Sequence, residues 1–178
     1  MLARVGIWLF VVIGVVLVQR AVELAISARN QAHIVARGGR EYGARHFPWI
    51  AAMHALFPAA LVVEAMHFGA RPGRMWPLWL AAWLLAEWLR LAAMRALGPR
   101  WHVRVWVIPG AAPVTSGIYR RLRHPNYVGV ALEFAAIPML LGAWRTALVF
   151  SALNSVALFV RIRCENDALQ RAAVDSLR

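Results

Sequence analysis

The stretch RHPNYVGVALEFAAIPMLLGAWRTALVFSALNSVALFVRIRCE, residues 123–165, decides the fold. It holds two apolar segments, about Asn126–Leu141 and Arg145–Val160, separated only by Gly142-Ala143-Trp144. So short a connection predicts a tight antiparallel helical hairpin. Both segments fall short of the ~20 residues that a helix needs to cross a hydrocarbon core, so they are expected to be tilted or not fully spanning. Polar residues bracket the pair: Arg123-His124-Pro125-Asn126-Tyr127 at its mouth, Arg161 and Glu165 at its exit.

Working outward, three further apolar segments precede the hairpin, at roughly Val5–Leu24, Phe47–Phe68 and Trp76–Leu97. The chain of 178 residues is 61% hydrophobic, with a mean hydropathy of +0.57, which suits a polytopic membrane protein. The expectation is one all-α integral membrane domain of about five transmembrane helices. Met1 to Val18 looks superficially like a signal peptide. Gln19, Arg20 and Glu23 follow without a small-residue cleavage site, so it reads as a retained first helix.

All 20 basic residues are arginine, against 8 acidic residues, for a net charge of +12. The arginines punctuate the apolar segments rather than forming one face. This is a membrane-orientation pattern with contacts to lipid headgroups, and it does not point to nucleic acid. Loops 29–45 and 98–123 carry most of the loop charge, which places the N-terminus outside and the C-terminal tail in the cytoplasm. The location this implies is an integral membrane one. A single cysteine, Cys164, excludes a disulfide framework and reads as a small residue on a helix face. Trp101 to Ile108 alternates with a period of two, as a short strand or an interfacial loop does.

The chemistry-bearing residues gather at the hairpin's mouth and exit. Thr115-Ser116-Gly117 forms a turn, Pro125 suits the first position of a helix, and the free N–H groups there favour an anionic ligand. His124 and Tyr127 are three apart and share a face; Arg161 and Glu165 are four apart and share another. The hairpin brings both pairs to one depth, where ionisable groups mark a site. Elsewhere, Glu87 and Arg90 read as a structural ion pair. Glu133 either lines an acceptor cavity or joins two helices. His54 and Glu64 lack the companions that a metal site needs, so no metal is expected. The tryptophans serve mainly as belt and packing, with Trp101 or Trp106 as candidates for stacking on an aromatic ligand.

Ser116-Gly117-Ile118-Tyr119, Arg123-His124-Pro125-Asn126-Tyr127-Val128-Gly129, and Arg161-Ile162-Arg163-Cys164-Glu165 with Leu169 occur in order. Over roughly Trp101–Leu169 they resemble the isoprenylcysteine carboxyl methyltransferase family, integral membrane enzymes that use S-adenosylmethionine. Glu23, Arg29-Asn30, Gly38-Gly39, Glu41-Tyr42-Gly43, His46-Phe47-Pro48, His54 and Glu64 resemble a bacterial branch that methylates alkylpyrones and alkylresorcinols. The resemblance implies a three-helix N-terminal part, residues 1–97, and a cofactor-binding part, residues 98–178, with its pocket on the cytoplasmic side. It implies that Tyr119, His124, Pro125, Asn126, Tyr127 and Glu165 surround the cofactor, with Val114 beside it. Arg161 would face a lipophilic acceptor arriving from the bilayer, and Glu133 is the further acceptor-side candidate. His124 or Glu165 would take the proton of a neutral phenol. The family commonly has consecutive acidic residues where this chain has Glu165-Asn166. Two rival readings are a membrane reductase of the sterol-reductase-like type, which carries a similar Arg-His-Pro-Asn-Tyr segment, and a non-enzymatic membrane module.

Overall fold

The computed structural model describes residues 6–175, so the expected start of the first segment at Val5 lies outside it. Five helices make up most of the chain: α1 (Ile7–Ala36), α2 (Phe47–Phe68), α3 (Trp76–Leu97), α4 (Pro125–Leu140) and α5 (Trp144–Asp175). The bounds of α2 and α3 coincide with the apolar segments. Proline within the first two positions opens α2, α3 and α4, where its missing N–H costs nothing and its fixed φ suits the helix.

Two helices outrun their apolar segments. α1 continues to Ala36, and α5 runs unbroken for 32 residues, well past Val160. Arg161 and Glu165 therefore lie within a helix rather than at its exit. α1, α2 and α5 are each long and apolar enough to cross a membrane. α4 has only 16 residues, and ten of them are buried. It is the central helix, with its neighbours wrapped around it.

Close backbone approach locks α4 in place. A Cβ on Gly129 would come within 2.9 Å of the Ala86 carbonyl oxygen on α3. The hairpin turn is tighter still: Gly142 has φ +76, and a Cβ there would lie 1.9 Å from the Arg71 carbonyl oxygen. Gly142→Ala must strain the backbone and displace the α2–α3 loop together. We expect a loss of about 1–3 kcal/mol, read as a lower unfolding midpoint in detergent. Glu64, buried on α2, accepts the Arg145 and Thr146 N–H groups at 3.1 and 2.7 Å, and so caps α5 from outside.

The chain is not purely helical. β1 (Arg40–Tyr42) and β2 (Val105–Val107) pair antiparallel, with Glu41 opposite Trp106. The alternation at Trp101–Ile108 is thus a strand edge. Val107 packs with Ala168 and Ala172 of α5, so the small sheet seals the end of that helix.

One expected contact is corrected. Arg90 does not pair with Glu87. It lies buried and reaches across to Glu23 of α1, at 2.7 Å, and to Glu133 of α4. Arg20 bonds the same two carboxylates, at 2.6 Å from Glu23. Glu87 instead accepts the Trp83 indole N–H at 3.1 Å. A pairing inferred from local spacing loses here because neighbouring helices present carboxylates to the buried side of α3, where an unpaired guanidinium would be very costly.

Candidate active site

The first turn of α4 meets the middle of α5 at the Tyr127 hydroxyl. That hydroxyl donates to Glu165 Oε2 and accepts from Arg161 Nε at 3.0 Å. His124, at the N-cap, stacks on the Tyr127 ring with centroids 5.3 Å apart and planes 19° from parallel. Its Nδ1 lies 3.9 Å from Glu165 Oε2. The structure thus brings together imidazole, phenol, guanidinium and carboxylate, as the hairpin requires. The His124 and Glu165 side chains remain 20% and 31% exposed, so ligands can reach them.

Arg161 is held but not saturated. Its Nη2 donates to the Val103 carbonyl at 2.5 Å. Its remaining donors, including both N–H groups on Nη1, make no hydrogen bond among the described residues. A fixed guanidinium with free donors is suited to a carboxylate or other oxyanion. Val103 in turn donates its N–H to the buried Ser27 Oγ at 3.2 Å, and Asn30 Nδ2 donates to the Trp101 carbonyl at 2.8 Å. The loop before β2 therefore ties α1 to the Arg161 guanidinium. Ser27 and the Val103 backbone escape sequence reasoning, because neither residue type signals a site.

The remaining candidates are placed as follows. Tyr119 sits on a short 3-10 turn, Gly117–Arg120, begun by Gly117 at φ +59. Burial first, then the Glu165 charge, pushes its hydroxyl up to about 12, so it is a neutral donor throughout the physiological range. Pro125 is buried and Asn126 half-buried; the Asn126 side chain makes no hydrogen bond among the described residues. Val114 is half-buried in the preceding loop, and no bond among the described residues ties it to the cluster.

The helix N-terminus offers an anion less than its sequence suggests. Pro125 has no N–H, and Tyr127 and Val128 both turn theirs to the His124 carbonyl at 3.1 Å. Trp101 is buried with its carbonyl engaged, which leaves the half-buried Trp106 as the freer ring. Glu133 stands apart from the cluster, six residues or ~9 Å further along α4. Its carboxylate is taken by Arg20 and Arg90, and it borders a cavity of only about 20 Å³. That is room for about one water.

A sequence profile for the isoprenylcysteine carboxyl methyltransferase family matches residues 79–171, more than half of the chain and the whole of this cluster. The chain belongs to that family. Its members are membrane methyltransferases that use S-adenosylmethionine. As a member of the isoprenylcysteine carboxyl methyltransferase family, it is 39% identical over 168 residues to the uncharacterized protein YpbQ of Bacillus subtilis (strain 168). That alignment covers 94% of this chain and 98% of the relative. It is 26% identical over 155 residues to an uncharacterized protein of Haemophilus influenzae, covering 86% and 90% respectively. No solved structure matches.

Tyr127→Phe isolates the joint of the cluster. It removes the one atom that both Arg161 and Glu165 bond. We expect methyl transfer to fall about 10–100-fold, in line with the worth of hydrogen bonds to charged groups, while the fold persists. Initial rates and a thermal midpoint on the same preparation check this.

Proposed function

We propose that the protein transfers the methyl group of S-adenosylmethionine to an acidic oxygen of a lipophilic acceptor. The acceptor class is an alkylpyrone or alkylresorcinol, or a carboxylate like that of a prenylated cysteine. The observation that carries this reading is the Arg161–Tyr127–Glu165 joint, a carboxylate and a partly free guanidinium fixed on either side of one hydroxyl.

The residues present fit the cofactor. Glu165 offers carboxylate oxygens to ribose hydroxyls or to an ammonium. Tyr119 adds a neutral donor, and the stacked faces of His124 and Tyr127 suit a sulfonium cation. In this reading Pro125 and Asn126 flank the cofactor, and Val114 lies beside it. When bound, the cofactor supplies an activated methyl group on positively charged sulfur.

The chain then has to align rather than activate. Arg161 holds the acceptor oxygen as its anion, which is the nucleophilic form. Tyr127 fixes Arg161 relative to Glu165, and therefore fixes acceptor relative to cofactor. Such alignment accounts for several kcal/mol of a barrier without acid–base chemistry, ~7–11 in favourable cases. A phenolic acceptor also needs a proton removed. Glu133 belongs to helix packing in this reading and not to the acceptor site.

The loop charges and the position of the cluster support a membrane placement in this reading. We assign five membrane-embedded helices, with the α4 mouth and the later part of α5 at the cytoplasmic side, where a soluble cofactor is available. The N-terminus lies outside and the C-terminus inside, in the inner membrane of a bacterium. Membrane lipids surround α1, α2 and α5, and the acceptor arrives through them.

The test is transfer of radiolabelled methyl from S-adenosylmethionine in detergent or proteoliposomes. An alkylresorcinol, an alkylpyrone and a prenylated cysteine are supplied in turn. Labelled ether or ester from at least one supports the reading; label in none of the three, with cofactor bound, contradicts it.

A further inference from the structure

One imidazole beside α5 has no part in the cluster described above. His46 precedes α2 and closes a turn back to Gly43, its N–H 3.3 Å from the Gly43 carbonyl. Gly43 has φ +68, and a Cβ there would lie 2.1 Å from His46 Cε1 and 2.8 Å from Cys164 Sγ. The glycine is thus needed twice, for its backbone angle and for the space that the imidazole fills. The turn lays the His46 ring across the glycine and against α5, one residue short of Glu165 in sequence.

Helix geometry separates the two sides of Arg161. At ~100° per residue, Glu165 lies ~40° to one side of Arg161 and Cys164 ~60° to the other. Glu165 leads to Tyr127, His124 and Tyr119. Cys164 leads to Gly43 and His46, and to an open groove of about 500 Å³. That groove is lined by Phe159 and Val160 on the apolar part of α5 and by Arg163 and Arg171 beyond. It has the character of a seat for an amphiphile, with an apolar end and a charged end, and it adjoins His46 through Gly43 and Cys164, both of which line it.

We propose that His46 is a catalytic base on the acceptor side of Arg161, taking the proton of a weakly acidic hydroxyl acceptor. The inference rests on the methyltransferase reading. His46 accepts the hydroxyl proton on a ring nitrogen as the O–H bond breaks. The oxygen's electron pair forms the new bond to the methyl carbon as that carbon's bond to sulfur breaks, leaving a thioether. The imidazolium then loses its proton to water. Partial burial first, and the Arg161 guanidinium second, hold His46 below the usual histidine range, so it is neutral and able to accept. The other charged and titratable groups on the segments packed there include Arg163, Cys164, Glu165, Asp167 and Arg171 of α5, Arg40, Glu41 and Tyr42 of β1 with Arg45 after it, and His102 and Arg104 before β2. Of these, Arg104 stacks on the neighbouring Phe47 at 4.3 Å. Burial, then Arg104, brings His102 to about 4, so it too is neutral near pH 7.

Two measurements test this on the full-length protein in detergent, with His46→Gln and, as a second variant, His46→Asn. The first uses an alkyl nitrophenol with S-adenosylhomocysteine present, and follows phenolate absorbance against pH without turnover. The wild type is expected to ionise the bound phenol about one pH unit or more below its value in detergent alone. Both variants are expected to lose part of that shift, the remainder being due to the Arg161 guanidinium, while retaining S-adenosylhomocysteine affinity. The second compares methylation of an alkylresorcinol with that of a prenylcysteine carboxylate. Loss of a general base lowers the former about 10²–10⁴-fold and leaves the already ionised carboxylate within about threefold. Equal falls on both acceptors, no fall on either, or an unchanged phenolate shift overturns the role of His46. A wild type that binds S-adenosylhomocysteine yet methylates no acceptor overturns the methyltransferase reading instead.

Discussion

Arg161→Ala lowers methyl transfer about 10²–10³-fold, the usual consequence of removing a preorganised donor from developing or resident negative charge. The effect exceeds that expected of Tyr127→Phe because Arg161 has two duties. In the proposed mechanism it holds the acceptor anion through its free donors, and in the structure it bonds both the Val103 carbonyl and the Tyr127 hydroxyl. Arg161→Lys keeps the charge but not the fork, so it recovers only a small part of the rate. The two duties separate in the kinetics. Loss of anion binding alone raises KM for the acceptor, whereas misalignment also lowers kcat. Both should move in the alanine variant, and S-adenosylhomocysteine affinity should move much less. An alanine variant within about threefold of the wild-type rate removes Arg161 from the mechanism.

The second large effect is on stability. Arg90→Ala deletes the cation that stands between Glu23 and Glu133, all three of them buried. Removing one partner of a buried pair costs about 3–5 kcal/mol, because the carboxylates left behind have too little countercharge. Arg20 remains in contact with both, yet its side chain is 22% exposed and already engaged. We therefore expect the variant to unfold in detergent at markedly lower denaturant than the wild type. Arg90→Met combined with Glu133→Met should be less damaging than the two single changes summed, since it removes the orphaned charge as well as the contact. Wild-type stability in Arg90→Ala shows that Arg20 alone neutralises the network.

These two expectations also mark what the sequence discloses. The helical hairpin is legible because Gly142-Ala143-Trp144 is too short for any other connection, and α2 and α3 because apolar runs end at glycine or proline. The mutual approach of His124, Tyr127, Arg161 and Glu165 follows from helical spacing plus that hairpin. The length of α5 is not legible from hydropathy, which falls at Arg161 while the helix continues with Ala168 and Ala172 packed on β2 and β1. β1 has three residues and no alternation long enough to read; it exists because β2 offers it an edge. The partners of Arg90 are 67 and 43 residues away in sequence, beyond any local rule. His46 stands in a quoted motif, but only the fold shows that Gly43 makes room for it beside Cys164. At Glu165-Asn166, Glu165 is the carboxylate that faces the cluster, and Asn166 is exposed.

The central claim is that Glu165 and the α4 mouth hold the adenosyl cofactor of a methyltransferase. Calorimetric titration of the purified protein with S-adenosylhomocysteine and, separately, with NADPH tests it most directly, each against wild type and Glu165→Ala. Saturable binding of S-adenosylhomocysteine that the substitution abolishes, with no NADPH binding, is the predicted result. Binding of NADPH alone, or S-adenosylhomocysteine binding that is indifferent to Glu165, contradicts it.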